Sequence, residues 1–400
     1  MPPVDYGRAA GEGKARPELA DIFRSHGESY RRTHRLPASH LKVMRAVEVC
    51  RTKELGGHLK KCDSCGFEHP TYNSCLNRHC PKCQSLAKAK WLKKQTSELL
   101  PVGYFHLVFT LPHELNWLIL SCKKLLLSLL FKAVSETLLE FGATHLGGTL
   151  GIIAVLHTWD QTLKDHFHLH CLIPAGALSF DQSRWISARK NFLFHVKALS
   201  PAFRRKFLRS LERAFDQGKL KLPGQSVSLA NDKPWEQRLA ALRKKKWVVF
   251  AKRPFSSPHK VLDYLGRYTH RVALSNDRLL SVENGQVSFS YRDRKDKDRK
   301  KTLTLDAQEF IRRFLLHVIP EGFMRIRHFG FLANRAKKQN LSRCRELLGL
   351  NPALPEIPDR STQDLLLELT GIDISRCPNC KKGTMVIVAE LPKLRPWDSS

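Results

Sequence analysis

The sequence predicts an α+β fold, and three observations carry that prediction. Short β-rich runs at 104–111 (YFHLVFTL), 151–159 (GIIAVLHTW), 167–173 (FHLHCLI) and 247–251 (WVVFA) alternate with longer helical stretches. Two of these runs are joined by a short, mostly polar segment, Asp160 to Asp165, which is enough for an antiparallel hairpin and too few residues for a parallel crossover. The cysteines bunch before residue 84, which marks off a small module ahead of the β-rich segment. A chain of 400 residues has room for two or three domains and a sizeable core.

Taken in order, residues 31–35 (RRTHR) form a basic arm that leads into a helix over about 40–51, after Pro37. Next come Cys62-x2-Cys65, Cys75 and Cys80-Pro-Lys-Cys83, and then a helical run over 84–100. Each CxxC presents two thiolates from a tight turn. Two such knuckles 14 residues apart therefore predict one tetrahedral zinc ribbon made by Cys62, Cys65, Cys80 and Cys83, with Gly66 and Pro81 where knuckle turns need them. Cys50, His58, His69, Cys75 and His79 remain as ligands for a second zinc. Residues 351–358 (NPALPEIP) hold three prolines and mark a boundary, followed by a short helix over 362–369 and a lone Cys377-Pro-Asn-Cys380. That last pair fits a vestigial knuckle, a site completed by a distant ligand, or a plain turn. The expected domains are 1–100 (helical and zinc-binding), 101–350 (the β-rich segment) and 351–400 (a tail).

Charge narrows the function. Sixty-eight Lys and Arg against 37 Asp and Glu give a net charge of +31, so the expected partner is a polyanion, nucleic acid before an anionic membrane. The tail does not share this excess, with 6 basic and 7 acidic side chains in 351–400. The N-terminus lacks an apolar signal core, and the most apolar stretch, 115–131, is broken by Lys123 and Lys124. The expectation is a cytoplasmic protein, associated with the nucleoid when it acts, whose 11 cysteines point to metal ligation rather than disulfides, with the scattered Cys122, Cys171 and Cys344 as buried small hydrophobes.

Two groups of residues carry chemistry. In 166–171 (HFHLHC), His166, His168 and His170 alternate with Phe167, Leu169 and Cys171, so the three imidazoles share one strand face, and His157 lies opposite on the hairpin. Such a set fits either an open divalent-metal site or a half-exposed polar face. Further on, 258–275 (PHKVLDYLGRYTHRVALS) puts Tyr264 and Tyr268 four apart on a helix, beside Arg267, His270 and Arg271. Tyrosines at that spacing fit core packing. They also fit nucleophilic attack on phosphorus, which needs a cation to stabilise the phenolate.

The combination of a His-hydrophobic-His strand with a Tyr-x3-Tyr helix about a hundred residues later resembles the HUH endonuclease superfamily. With the cysteines in front, the chain resembles the two-tyrosine rolling-circle insertion-sequence transposases, the family named for insertion sequence ninety-one. CDSCG and SCLNRHCPKCQ at 62–84, YFHLVFTLPHEL, AVLHTWDQTLKDHFHLHCLIPAG and YLGRYTHRVALS carry the likeness. The resemblance implies a ferredoxin-like antiparallel sheet and Mg²⁺ or Mn²⁺ on His168, His170 and a third histidine, His157 in preference to His166. It implies attack by Tyr264 or Tyr268 on single-stranded DNA, leaving a 5′-phosphotyrosine and a free 3′-OH. It also implies a structural Zn²⁺ in a module that reads element ends, and DNA contacts from Arg267 and Arg271, helped by basic runs at 243–246 and 292–301. Two other readings share many of these features: a rolling-circle replication initiator or relaxase, and a zinc-dependent DNA-binding protein without chemistry.

Overall fold

The computed structural model describes residues 16–220, 232–255, 260, 261, 266, 273–293, 296–356 and 361–394. Tyr264, Arg267, Tyr268 and Arg271 lie outside the described residues.

The β-rich segment is built on strand β3 (Tyr104–Thr110), helices α4 (Asn116–Ser121) and α5 (Lys123–Leu146), strands β4 (Gly148–Trp159) and β5 (Asp165–Pro174), helices α6 (Val196–Asp216) and α7 (Asp232–Lys244), and strand β8 (Val248–Phe255). The small strands β6 (Gly176–Ser179) and β7 (Trp185–Ser187) extend one side. The spatial order is β7-β6-β4-β5-β3-β8, with every described pairing antiparallel. The order β8-β3-β5-β4, threaded as β-α-β-β-α-β, is the split βαβ arrangement of ferredoxin-like sheets. β4 is long enough to pair with β6 at residues 148–150 and with β12 (Ile326–Gly330) at 151–155 on the same edge.

Helices α5 and α6 cover one face of this sheet, because its inward side chains are apolar. Leu107, Phe109, Leu156, Phe167, Leu169 and Cys171 are buried with Leu126, Leu130, Phe131, Phe203 and Phe207. Burying a side chain of this size contributes about 1.5–3 kcal/mol, and this face is where most of the sheet's stability lies. The polar residues between them must then project from the opposite face, which is how a mostly buried strand comes to hold histidines.

The N-terminal module consists of α1 (Leu19–Thr33), α2 (Ala38–Glu48), the hairpin β1 (Gly57–Cys62) and β2 (Glu68–Tyr72), and α3 (Pro81–Glu98). Its helices share a core with β9 (Leu279–Glu283), β10 (Gln286–Asp293), β11 (Arg299–Asp306) and α8 (Ala307–Leu316), where Phe23 meets Phe314 edge to face at 5.5 Å. The segment 351–400, read from sequence as a tail, adds its strand β13 (Met385–Leu391) to the free edge of β1, giving the sheet β13-β1-β2. Between them lie α9 (Lys337–Leu347) and the expected short helix, α10 (Thr362–Thr370).

Candidate active site and metal centres

His157 on β4 and His168 on β5 are directly paired, and His170 follows two residues along β5. Their ligand atoms all lie within 4.8 Å of one another, and all three residues are buried. The hairpin does not run in simple register. Pairing shifts between His157/His168 and Trp159/Asp165, which leaves β5 with one extra residue around His166. Such a bulge re-aims side chains. His166 is exposed and outside the group, although its carbonyl accepts a 2.8 Å hydrogen bond from His168 Nδ1. A carbonyl only accepts, so His168 carries its proton on Nδ1 and its Nε2 lone pair is available as a ligand.

His170 Nδ1 sits 2.9 Å from Nε2 of His106 on β3, with the two rings stacked 5.1 Å apart. Burial pushes the His106 pKa down to about 3, with the Lys252 charge acting the same way, so this imidazole is neutral. When Nδ1 of His170 donates to it, Nε2 of His170 becomes the ligand atom. His106 was not singled out in the sequence. The signal for it was its place in YFHLVFTL, a polar residue in phase with Val108 and Thr110 on a run that is otherwise apolar. The donor set fits a divalent ion: three imidazoles converge, and two of them are held at Nδ1.

The same sheet face continues away from the histidines. Thr110 pairs with His168 and Val248, and Val108 pairs with His170 and Phe250, so Val248 and Phe250 flank the site on the edge strand. Both are exposed, 59% and 54%, at about 10 Å from the histidine strand by sheet spacing. Val261 and Gly266, described residues on either side of Tyr264, pack toward the N-terminal module. Val261 is fully buried beside Leu99 and Leu100, and a Cβ on Gly266 would come 3.1 Å from Leu92 and Lys88 of α3.

The cysteines do not form the single ribbon predicted from spacing. Cys80 and Cys83 at the start of α3 group with Cys50 and Cys75, whereas Cys62 and Cys65 group with Cys377 and Cys380. The reason is the hairpin. β1 runs outward from Gly57 to Cys62 and β2 returns, so the two CxxC motifs lie at opposite ends of a ribbon roughly 17 Å long. In the first group, Cys83 Sγ lies 3.6 Å from both Cys50 Sγ and Cys75 Sγ, and Cys80 Sγ lies 3.5 Å from Cys50 Sγ. A zinc with four thiolates at 2.3 Å has tetrahedron edges of about 3.8 Å, and a disulfide would need about 2.05 Å, so the geometry is that of a metal site. Hydrogen bonds from Cys50 and then Cys75 push the Cys83 thiol far below its ordinary pKa, toward the thiolate. His58, His69 and His79 stand outside both groups. His79 is instead buried, accepting from the Ile319 backbone N–H.

Comparison with known proteins gives the class. The family described as "Putative transposase" matches residues 151–340, the stretch holding all three clustered histidines, and the "Transposase zinc-binding domain" matches 22–111. The chain is 48% identical to "Putative transposase y4qJ" of Sinorhizobium fredii, over 96% of this chain and 99% of that protein. It is 30% identical to "Transposase for insertion sequence element IS801" of Pseudomonas savastanoi pv. phaseolicola, over 83% of this chain and 79% of that one. No solved structure matches. The chain belongs to the IS91-type insertion-sequence transposases, with an N-terminal zinc-binding domain. Among the described residues no helix is long and apolar enough to cross a membrane.

Proposed function

We propose that this transposase nicks and rejoins single-stranded DNA at insertion-sequence ends through a 5′-phosphotyrosine, the chemistry of rolling-circle transposition. The observation that supports it most is the convergence of His157, His168 and His170 on the open face of a ferredoxin-like sheet. Those three residues would hold a Mg²⁺ or Mn²⁺ ion, which when bound would polarise the scissile phosphate and offset its developing charge.

The chain's own residues would do the rest. Tyr264 or Tyr268 attacks phosphorus, the bond to the 3′ oxygen breaks, and the phosphate stays on the tyrosine, so the bond energy is kept for rejoining. A second tyrosine allows another transfer before the first adduct is resolved. Arg267 and Arg271 would contact the DNA backbone. Phe250, exposed on the histidine face, suits stacking by an unpaired base, a contact worth about 1–3 kcal/mol. The first cysteine group would hold a structural zinc that stiffens the joint between α2, α3 and the α8 region, keeping α3 in place beneath Val261 and Gly266.

Incubation of the protein with labelled single-stranded element ends and Mn²⁺ should give a covalent adduct on a denaturing gel, and Tyr264→Phe with Tyr268→Phe should abolish it while DNA binding persists. Binding without adduct for the unaltered protein, with either metal, would favour a non-catalytic DNA-binding role.

A further inference from the structure

We infer that Cys62, Cys65, Cys377 and Cys380 form a second structural zinc centre, one that clasps the C-terminal segment onto the N-terminal module. The zinc-binding domain that the family defines ends at residue 111, so half of this site lies far beyond it. Cys65 and Cys377 are 312 positions apart in sequence, and the whole catalytic domain lies between them.

The four sulfurs have the geometry of a closed thiolate site. Cys62 Sγ is 3.7 Å from Cys380 Sγ, and Cys65 Sγ is 3.7 Å from Cys377 Sγ, against about 3.8 Å for the edge of a Zn–S tetrahedron. The two half-sites are also built alike. In the first, the Gly66 N–H donates to the Cys62 carbonyl, and Gly66 takes a left-handed φ of 72°. In the second, the Lys381 N–H donates to the Cys377 carbonyl, and Lys381 takes φ 59°. Backbone N–H groups point at the sulfurs in both: Ser64 and Cys65 at Cys62 Sγ, and Gly383 at Cys380 Sγ, each at 3.4 Å. Donors aimed at sulfur stabilise thiolate, as a zinc knuckle requires.

The surroundings are fitted to this contact. The backbones of Asp63 and Thr384 are joined by a 3.1 Å hydrogen bond, and Asp63 Oδ1 accepts from the Thr384 N–H at 2.8 Å. A side chain at Gly383 would come within 2.5 Å of Cys62 Sγ, so only glycine lets the second knuckle approach. From there β13 pairs with β1 along its length, Cys62 opposite Met385 and Gly57 opposite Leu391. The apolar material behind the site is small, Met385 and Phe67 beside the cysteines themselves, so a metal here would reinforce the strand pairing where the core is thin.

Zinc measured on the purified full-length protein tests this. We expect two zinc ions per chain, falling to one in Cys377→Ser and to one in Cys50→Ser, each from a different centre. Cd²⁺-substituted protein should give two ¹¹³Cd resonances of all-sulfur type, and Cys377→Ser should remove one. Cys380→His keeps a ligand and should keep two ions, with one resonance moved to the S₃N range. Should a variant fail to fold, the wild-type ¹¹³Cd spectrum decides, because an ion on the histidine group would not give an all-sulfur resonance. One zinc per chain, or two zincs persisting in Cys377→Ser, would overturn the inference. Neither result bears on the strand-transfer reading, whose metal site is the histidine group.

Discussion

Replacing His106 by Phe isolates the hydrogen bond that orients the histidine group. The two rings are stacked at 14° between planes, and both residues are buried, so Phe keeps the volume and the stacking and removes only the nitrogen that meets His170 Nδ1 at 2.9 Å. Losing such a supporting bond lowers metal affinity by roughly 10- to 100-fold, about 1.4–2.7 kcal/mol. The assay is adduct formation with single-stranded ends, titrated with Mn²⁺. The half-saturating concentration should rise by that factor, and the yield at saturating metal should return to near the wild-type value because the tyrosines are intact. An unchanged metal dependence would refute the argument that His106 sets the ligand geometry. So would a loss that excess Mn²⁺ cannot restore while the thermal midpoint stays put.

Other consequences are as specific. Phe250→Ala should weaken single-stranded DNA binding by an amount corresponding to about 1–3 kcal/mol and leave the Mn²⁺ dependence alone, read by fluorescence anisotropy. Phe167→Ala, on the opposite face of the histidine strand and fully buried, should cost about 3–5 kcal/mol of stability in denaturant unfolding. Burial holds the His317 pKa down to about 4 against 6.5 when unfolded, between Thr158 and the Leu163 carbonyl. The unfolded chain therefore binds the extra proton below pH 6.5, and stability falls as pH drops from 6.5 toward 4. From pH 7 to pH 5 the loss is about 2 kcal/mol, and it should be absent from His317→Gln when the two melting curves are compared.

What the sequence made legible was what obeys a short period. The histidine strand could be placed because polar residues at every second position of a buried run must share a face, and the short link to 151–159 set the hairpin. The bulge at His166 was not legible, since one extra residue in β5 leaves no mark in composition. The pairing of the cysteines was misjudged for a similar reason. Two CxxC motifs 14 residues apart look like one site until the hairpin between them is known to carry the first away, and no local signal joins Cys62 to Cys380 across more than 300 residues. The basic run at 292–301 hid a hairpin. β10 and β11 meet there, with Lys301 paired to Asp293 and Asp296, so part of the charge is spent on the turn rather than offered to DNA.

The most direct test of strand transfer through tyrosine is the polarity of the covalent product. A single-stranded element end labelled at its 3′ terminus, incubated with the protein and Mn²⁺, should move with the protein on a denaturing gel. The same strand labelled at its 5′ terminus should be released as a free fragment ending in 3′-OH. Peptide mapping should then place the adduct on Tyr264 or Tyr268. Label retained from the 5′ terminus instead, or cleavage that yields two free fragments and no adduct, would contradict the account.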